Sequence, residues 1–483
     1  MSTSRIDIDL TAIGHNVQVL RRVLSGDAAG PVPVARDLAP PDRTRTQRLP
    51  GICAVLKQDA YGLGAVRVAR RLAACGVEMI AVYSLEEARA LAEATIVTPI
   101  LVLMPVRSMD RGDPVYRHAV AGKLHLTVHD PDQLAAISEV CGKLGAAMPL
   151  HVQVDTGLAR GGSLPDIAAQ MVESIARNPR LRLGGLMTHF ASPASDVEFT
   201  REQARVFREW VERVKPVIAG TVNQRVDGSL GIAIHAANSC AMFRSSKYHG
   251  NLVRAGQSLY GFALEGANER DASEFAAAAS QLRPAVRWTS SIVQVKDIPT
   301  GHPVGYGSTW RAARPTKIAL VPVGYADGYP RILGNIASVG VTGRMWERTG
   351  ATLPPGAEFD PGAHSGTAQT RFMPVIGRVS MDQITVDVTD VPDSFRRVGC
   401  EIELIGSDRS APNFLARIAE GAQTIVHEQL CRIGSRVERV YRMPAADMSP
   451  QIHVMPDKSM GGSVTGSGGM SPAVACDYRV DQV

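Results

Sequence analysis

The sequence predicts an α/β protein in which a TIM-like (β/α)8 barrel is followed by a mostly β C-terminal domain. From residue 51 onward, short apolar or β-branched runs alternate with helical stretches rich in Ala, Leu and Arg. Such alternation indicates βαβ units and a parallel sheet. Eight of these runs precede residue 285, which is the number that closes a (β/α)8 barrel. No GxGxxG motif follows the first run, which disfavours an open, doubly wound sheet.

The predicted barrel strands are five to seven residues long, a normal length for buried strands. They are 51–56, 79–84, 99–104, 123–128, 149–154, 183–189, 232–237 and 252–256. A strand and a helix also open the chain. Ile13, Val17 and Leu20 recur there at helical spacing, after the good helix-capping residue Asp9.

We predict domain boundaries where the character of the sequence changes. Residues 1–284 form the barrel domain, and residues 285–445 form a β-rich domain in which strands follow one another with Gly and Pro turns. Residues 446–483 form a flexible tail that is rich in Gly and Ser. Two stretches lack any period and are predicted to be insertions, 26–50 with its five prolines and 346–372.

Composition argues against several classes of protein. Lys and Arg number 52 against 47 Asp and Glu, a net charge of +5, and no dense basic stripe suggests nucleic-acid binding. No run approaches about 18 apolar residues, and the N-terminus lacks a secretory signal, so we expect a cytoplasmic protein without a membrane partner. The seven cysteines are widely spaced and form no CxxC pair. This spacing indicates reduced thiols, and no metal is expected.

Functional side chains in such a barrel lie on the loops that follow the strands. Lys57 follows the first predicted strand, Arg160 follows the fifth, and His189 ends the sixth. Desolvation lowers the pKa of a lysine, and a neutral amine can bind a carbonyl group covalently. Simpler interpretations stay open, because a lysine at a strand end can extend into solvent and a lone histidine is often a core residue.

The last two predicted barrel strands add features of an anion site. Ser239 and Gly256 lie near their ends, where barrels often bind phosphate through backbone amides and hydroxyls. Arg254 lies inside the eighth strand, and a buried guanidinium requires an anion or another acceptor nearby. A reactive lysine beside a phosphate site suggests pyridoxal 5′-phosphate, which acts as an electron sink.

These motifs resemble those of the alanine racemases, which are pyridoxal phosphate enzymes of fold type III. The lysine motif is AVLKQDAYGLGA at residues 54–65. Seven further blocks follow in the family's order: VDTGLARGG (154–162), MTHFA (187–191), HAANS (235–239), VRAGQSLYG (253–261), GYGSTW (305–310), VGYADGYPR (323–331) and GRVSMDQ (377–383). The resemblance covers about residues 5–445, and eight ordered blocks are far more specific than any one of them.

The resemblance implies two catalytic residues. Lys57 would hold the cofactor covalently and act as one base, and Tyr306 would be the second base on the opposite face of the substrate. Two bases on opposite faces can remove and return a proton without moving the substrate. In the family the tyrosine comes from the partner subunit, so a homodimer is implied. The implied substrate is alanine, and D-alanine is a peptidoglycan precursor.

The resemblance also implies binding roles along the barrel rim. The residues that would bind the cofactor phosphate are Tyr61, Ser239, Gly256 and Gln257. Arg254 would face the pyridine nitrogen with His189 behind it, and Arg160 would reach both the cofactor and the substrate carboxylate. Met381, through its backbone amide, would help to hold that carboxylate, and Tyr325 would line the entrance.

Two positions depart from the family pattern. Gln153 stands where many members have a lysine that becomes carbamylated. Glutamine cannot be carbamylated, and we expect it to orient Arg160 by a neutral hydrogen bond. Ser435 stands where a tyrosine usually contacts the phosphate and narrows the pocket. We therefore expect a wider pocket that accepts serine or larger amino acids better.

Three other functions share this fold type. A protein that holds pyridoxal phosphate without catalysis would need neither GYGSTW nor GRVSMDQ. A decarboxylase would use a Cys-bearing loop, where this chain has Ser380. A broader amino-acid racemase stays open as the alternative, with serine as a second substrate. The residues also leave open whether D-alanine is made for the cell wall or broken down.

Overall fold

The structure is a computed structural model that describes residues 3–26, 49–219, 231–264, 273–345 and 370–443. These ranges belong to one unit, residues 1–445. Most of the predicted insertions at 26–50 and 346–372 lies outside the described residues, and so does the predicted tail at 446–483.

The strands are β1 (Ser4–Asp9), β2 (Gly51–Val55), β3 (Met79–Val82), β4 (Ile100–Val102), β5 (Leu124–Val128), β6 (Pro149–Gln153), β7 (Arg182–Met187), β8 (Ala233–His235), β9 (Leu252–Ala255), β10 (Val286–Ser291), β11 (Gln294–Ile298), β12 (Pro303–Val304), β13 (Trp310–Arg311), β14 (Thr316–Val321), β15 (Ser338–Met345), β16 (Arg371–Ile376), β17 (Ile384–Asp387), β18 (Cys400–Ile405) and β19 (Glu438–Arg442). The helices are α1 (Leu10–Ser25), α2 (Lys57–Gly62), α3 (Ala65–Ala74), α4 (Leu85–Glu93), α5 (Tyr116–Val120), α6 (Pro131–Leu144), α7 (Pro165–Arg177), α8 (Val197–Ala219), α9 (Ser239–Arg244), α10 (Ala276–Ala279), α11 (Leu415–Gly421) and α12 (Val426–Cys431). No helix in the described ranges is long and apolar enough to span a membrane.

Strands β2 to β9 form the predicted barrel. All neighbouring strands are parallel, in the order β8-β7-β6-β5-β4-β3-β2-β9. Backbone hydrogen bonds draw the two end strands together, because the Asn251 N–H donates to the Ile234 carbonyl at 3.0 Å and the Arg254 N–H donates to the Ala237 carbonyl at 2.9 Å. The barrel is therefore nearly closed. Each of its eight predicted strands is confirmed, with ends within two residues.

The interior of the barrel is apolar on one side and polar on the other. The apolar side is a small cluster of Cys53, Val55, Met79, Ala81, Leu101 and Leu252. On the other side, His125 of β5, His151 of β6 and His235 of β8 are hydrogen-bonded in a row. Barrel interiors are usually filled by branched apolar side chains, so this polar half requires a role other than packing.

The second large sheet has nine strands, in the order β11-β14-β17-β16-β15-β18-β10-β1-β19. Its strand β1 pairs antiparallel with β10 and parallel with β19, so the sheet contains strands from both ends of the described chain. Asp9 then caps α1, since its Oδ1 accepts hydrogen bonds from the N–H groups of Thr11 and Ala12 at 2.8 and 2.9 Å. The helix thus begins where the sequence predicts, while the domain boundary at 284 stays a prediction.

Directly after β2 the chain turns in a left-handed helical conformation. The φ angles of Gln58, Asp59, Ala60 and Tyr61 all lie between 50° and 61°. For L residues this conformation costs about 1–2 kcal/mol each, so other contacts must hold the turn. The Gln58 N–H donates to Glu87 Oε1, and the Ala65 N–H donates to Asp59 Oδ1, each at 2.6 Å.

The C-terminal strand β19 holds the end of this turn. Arg439 Nε donates to the Gly62 carbonyl at 3.1 Å, and the Tyr441 hydroxyl donates to the Leu63 carbonyl at 3.0 Å. Gly64 has a φ of +86°, and a Cβ at this position would lie 1.9 Å from the Tyr441 hydroxyl. The nine-stranded sheet therefore fixes the backbone that leaves β2.

Replacing Gln58 by glycine should relieve strain. Gln58 is exposed with a φ of 54°, a conformation that glycine adopts freely. We expect Gln58→Gly to leave the free energy of unfolding unchanged or to raise it by up to about 1 kcal/mol. The matched control is Ala90→Gly, at an exposed site inside the right-handed helix α4, which should lower that free energy by about 1 kcal/mol. Urea unfolding measures both, and equal losses would contradict the left-handed turn.

Candidate active site

Charged and polar side chains from several barrel strands meet at one rim. Lys57 follows β2 after one residue, Arg160 lies in the loop after β6, and His189 follows β7. Ser239 begins α9 after β8, and Arg254 lies within β9. Because the strands are parallel, all these positions lie at the carboxyl end of the barrel, where barrel enzymes place their active sites.

Lys57 is half-buried, and its environment favours the neutral amine. Burial lowers its pKa, and the nearby positive charge of Arg160 lowers it further, while Cys431 and Glu87 act in the opposite direction. A lysine with a lowered pKa has a larger fraction of the nucleophilic neutral form. Lys57 is therefore suited to covalent attachment of a carbonyl compound and to proton transfer.

Arg254 is the buried cation of the site. Its NH1 donates to the His235 carbonyl at 2.9 Å and to His235 Nδ1 at 3.0 Å. Its NH2 donates to the carbonyls of Thr188 and Ala236 at 2.7 and 3.1 Å, and to His189 Nδ1 at 3.1 Å. Burial lowers the pKa of Arg254 to about 10, so it stays a cation at neutral pH. Its Nε–H has no hydrogen-bond partner in the part of the chain that the structure describes.

Arg254 determines the proton positions on a row of imidazoles. A guanidinium can only donate, so His235 Nδ1 must accept and His235 Nε2 must carry the proton. That Nε2 lies 2.8 Å from His151 Nδ1, and His151 Nε2 lies 2.8 Å from His125 Nδ1. Each ring therefore donates to the next, and the row of His125, His151 and His235 is satisfied only when all three are neutral.

The environment of the three imidazoles also favours their neutral forms. Burial lowers the pKa of His151 and His235 well below the ordinary value, and it lowers the pKa of His125 to about 4. The positive charge of Arg254 lowers the pKa of His151 and His235 further. The imidazoles and the guanidinium thus stabilise each other's protonation states without a carboxylate.

A second group of residues forms a compact site for an anion. Ser239 Oγ accepts hydrogen bonds from the N–H groups of Gly256 and Ser258 at 2.9 and 3.2 Å, and lies 3.0 Å from Ser258 Oγ. A Cβ on Gly256 would lie 2.3 Å from the Tyr61 hydroxyl, so only glycine permits this approach. Burial raises the pKa of Tyr61, which keeps its hydroxyl a hydrogen-bond donor. Within the described ranges this hydroxyl has no hydrogen-bond partner.

The loop that carries Arg160 is held through its backbone. Gln153 Nε2 donates to the Gly161 carbonyl at 2.8 Å, and the Gly162 N–H donates to His129 Nδ1 at 3.0 Å. Gln153 thus contacts the backbone beside Arg160, whereas the sequence suggested a hydrogen bond that orients Arg160 itself. The charge of Arg160 acts on the pKa values of Lys57, His189 and Arg254, which places its guanidinium near all three.

Three predicted site residues lie apart from this group within the chain. Tyr306, Tyr325 and Met381 belong to loops of the β-rich region, and they are 72%, 42% and 54% exposed. Tyr325 and Met381 are neighbours, because the backbone N–H groups of Tyr325 and Ala326 donate to the carbonyls of Ser380 and Met381 at 3.0 Å. In the described residues, no hydrogen bond, ion pair or ring contact joins Tyr306 to the barrel rim.

Sequence reasoning missed several residues of the site. His125 and His151 lie in strand patterns that look apolar, and their only signal is that they sit at inward positions of β5 and β6. His427, on α12, contacts two predicted phosphate-binding residues, Tyr61 and Gln257. No short motif marks it, since α12 lies about 170 residues further along the chain than Gln257.

The residues present fit pyridoxal 5′-phosphate. The unpartnered Nε–H of Arg254 can donate to the pyridine nitrogen, and the unpartnered Tyr61 hydroxyl can donate to a phosphate. Ser239 and Gly256 lie beside Tyr61 and would complete a phosphate site, and Lys57 would supply the amine. No group of three or more His, Cys, Asp or Glu side chains within the described ranges could hold a metal ion.

Comparison with known families agrees with this geometry. Residues 43–263 match the family described as "Alanine racemase, N-terminal domain", and residues 285–352 and 362–441 match "Alanine racemase, C-terminal domain". The alanine racemase of Halothermothrix orenii is 34% identical over 81% of this chain and 90% of its own length. That of Sorangium cellulosum is 33% identical over 92% of this chain and 100% of its own length.

Solved structures lead to the same fold. The alanine racemase from D-cycloserine-producing Streptomyces lavendulae superposes with a TM-score of 0.72 at 26% identity, covering 92% of this chain and 98% of that one. The Bartonella henselae alanine racemase, whose crystal structure contains covalently bound pyridoxal phosphate, has a TM-score of 0.66 at 24% identity and covers 92% of this chain and all of that one. At that identity it supports the fold alone.

The buried histidines should make stability depend on pH. Burial lowers the pKa of eight described histidines: His15, His125, His129, His151, His189, His235, His249 and His427. Unfolding returns the pKa of each histidine to about 6.5, so below that pH the unfolded chain binds more protons than the folded chain does. Their contribution to stability is full above about pH 6.5 and falls, per histidine, by up to about 1.4 kcal/mol for each pH unit below it.

Urea unfolding between about pH 7.5 and 5 tests this dependence. We expect a roughly constant free energy of unfolding above pH 7 and a steep fall below it. The control is His125→Asn, which removes the histidine whose pKa is about 4. This variant should have a shallower slope, and an identical slope would show that His125 is not held neutral.

Proposed function

The chain belongs to the alanine racemase family of pyridoxal phosphate-dependent isomerases, and we propose that it interconverts L- and D-alanine by a two-base mechanism. Lys57 acts from one face of the substrate and Tyr306 from the other. The observation that carries the proposal is that a lysine with a lowered pKa lies on the same rim as the buried Arg254 cation and the hydrogen-bonded pair of Ser239 and Gly256.

Pyridoxal 5′-phosphate, when bound, supplies an electron sink that makes the Cα proton of an amino acid removable. Arg254 would donate its Nε–H to the pyridine nitrogen, and the residues that would hold the phosphate are Tyr61, Ser239, Gly256 and Gln257. Arg254 keeps its protons at neutral pH because its pKa is about 10. It would therefore hold the ring nitrogen by a hydrogen bond without transferring a proton to it.

Lys57 moves a proton at the substrate Cα on its own face. Its lowered pKa brings the amine closer to the working pH, which is where a general base is most effective. Arg160 stands beside it and binds the substrate carboxylate, and the Gln153 contact to Gly161 keeps the Arg160 loop in place. The Met381 amide assists with the carboxylate, and Tyr325 lines the entrance.

Tyr306 serves the other face and comes from a second subunit. It stands on a tight turn in which Gly305, Gly307 and Ser308 have φ angles of 72°, 73° and 49°, and this turn presents the phenol outward. A side chain that is 72% exposed, and that makes no hydrogen bond or ring contact with the rim in the described part of the chain, is well placed to enter the site of a partner. We propose a homodimer in which each site takes Lys57 from one chain and Tyr306 from the other.

The proposal also covers the range of substrates and the role of the enzyme in the cell. From the resemblance we propose that Ser435, an exposed and short side chain where the family usually has a tyrosine, permits serine as well as alanine as substrate. We also propose a cytoplasmic location and a role in supplying D-alanine for peptidoglycan. The buried thiols of Cys53, Cys141 and Cys400 are consistent with a reducing compartment.

Chiral chromatography tests the activity and the two bases. Wild-type protein with pyridoxal phosphate should convert L-alanine to D-alanine, and Lys57→Ala should form none. Loss of a general base typically costs about 10²–10⁴ in rate, so Tyr306→Phe should fall into that range. The control Tyr116→Phe should keep normal activity, because the Tyr116 hydroxyl donates to the Leu144 carbonyl at the end of α6 and not to a site residue. Normal activity in Tyr306→Phe would show that Tyr306 is not the second base.

The same assay with L-serine tests whether Ser435 permits serine as a substrate. A Ser435→Tyr variant should lose turnover of serine in preference to turnover of alanine.

Hybrid dimers test the shared site. Lys57→Ala and Tyr306→Phe chains can be co-expressed with different tags, and the mixed dimer can be purified by both tags in turn. In a two-fold dimer with shared sites, one of the two sites then has both native residues, so we expect about half of wild-type activity. Sites built within one chain would leave every site damaged, and an inactive hybrid would refute the exchange of Tyr306.

A further inference from the structure

Helix α12 brings a histidine to the phosphate side of the site. His427 Nδ1 lies 3.3 Å from Gln257 Oε1, and its ring meets the Tyr61 ring edge-on, with centroids 6.2 Å apart. Tyr61 and Gln257 belong to the barrel and are two of the residues that hold the phosphate in the proposed function. We propose that His427 is a further phosphate-binding residue, which the β-rich region contributes as an imidazolium when the cofactor phosphate binds. This inference rests on the proposed function.

The hydrogen bond to Gln257 determines which nitrogen is available. Gln257 Nε2 donates toward the Ala263 carbonyl at 3.5 Å, which leaves Oε1 to face His427 as an acceptor. His427 Nδ1 must therefore carry a proton. The other ring nitrogen, Nε2, has no hydrogen-bond partner among the residues that the structure describes. A half-buried imidazole with one anchored and one unused nitrogen is suited to hold an oxygen of an anion.

The charges around His427 favour a response to a phosphate dianion. Burial lowers its pKa, the positive charge of Lys57 lowers it further, and Glu428 on the same helix raises it. The other groups nearby are Tyr61, which burial keeps protonated, and Cys431, whose thiol pKa burial raises. With no anion bound, the ring is therefore neutral near pH 7. A dianion beside Nε2 would add a strong attraction for a second proton, so phosphate binding and proton uptake should be coupled.

The test compares pyridoxal phosphate with pyridoxal, which lacks only the phosphate. Both are titrated into full-length apoenzyme near pH 6.5 and 8.5, and the lysine-bound cofactor band reports binding. His427→Asn keeps an amide N–H for Gln257 and removes Nε2. This variant loses the charge-assisted hydrogen bond from Nε2 to the phosphate. We therefore expect its affinity for pyridoxal phosphate near pH 6.5 to fall by a factor of roughly ten or more, and its affinity for pyridoxal to stay unchanged. The loss should be smaller near pH 8.5.

His427→Gln provides the matched variant, because its amide nitrogen reaches the place of Nε2 without a titrating charge. It should recover part of the affinity for pyridoxal phosphate and lose the pH dependence. The phosphorus NMR signal of the bound cofactor gives a second readout, and its titration should shift in His427→Asn. Equal weakening of pyridoxal and pyridoxal phosphate would mean a structural role only, and unchanged affinity for both would mean no contact; either result overturns the inference. If the wild type itself bound no cofactor through Lys57, the proposed function would fail instead.

Discussion

The buried guanidinium of Arg254 is the constraint on which the rest of the site depends. A desolvated cation is usually paired with a carboxylate, yet the hydrogen bonds of Arg254 within the described ranges go to three carbonyls and two imidazoles. The carbonyls of Thr188, His235 and Ala236 must therefore point into the barrel, and the imidazoles must stay neutral. This requirement explains why half of the barrel interior is polar, and it leaves one N–H free to meet a ligand.

A second constraint is the strained turn after β2. Four residues in the left-handed region directly follow Lys57, and Tyr61 is one of them, so the turn places the lysine close to the hydroxyl that we propose binds the phosphate. The turn is held by Glu87 from the barrel and by Arg439 from β19. Helix α12 packs nearby and carries His427 and Cys431 toward the same place. The β-rich region thus takes part in the barrel's own site, in addition to presenting Tyr306 outward.

Much of the fold and of the candidate site could be predicted because both follow from local patterns. The barrel strands are continuous apolar runs, and Lys57, His189 and Ser239 lie just beyond three of them, so the parallel topology brings them to one rim. The left-handed turn could not be predicted, because Gln58 to Tyr61 include no glycine and the cause lies in contacts from distant elements. The row of imidazoles was also missed, since its members are one residue each in three separate strands. The position of Tyr306 in an assembled site depends on a second chain and stays a prediction.

Nitrogen-15 NMR of the pyridine nitrogen in the bound cofactor tests the central claim most directly. Arg254 has a pKa of about 10 and an Nε–H without a partner among the described residues, so we expect an unprotonated pyridine nitrogen that accepts a hydrogen bond. The signal should keep this character between about pH 6 and 9, because neither partner exchanges its proton in that range. A pyridinium signal at neutral pH would show instead that a group other than the Arg254 cation faces the ring.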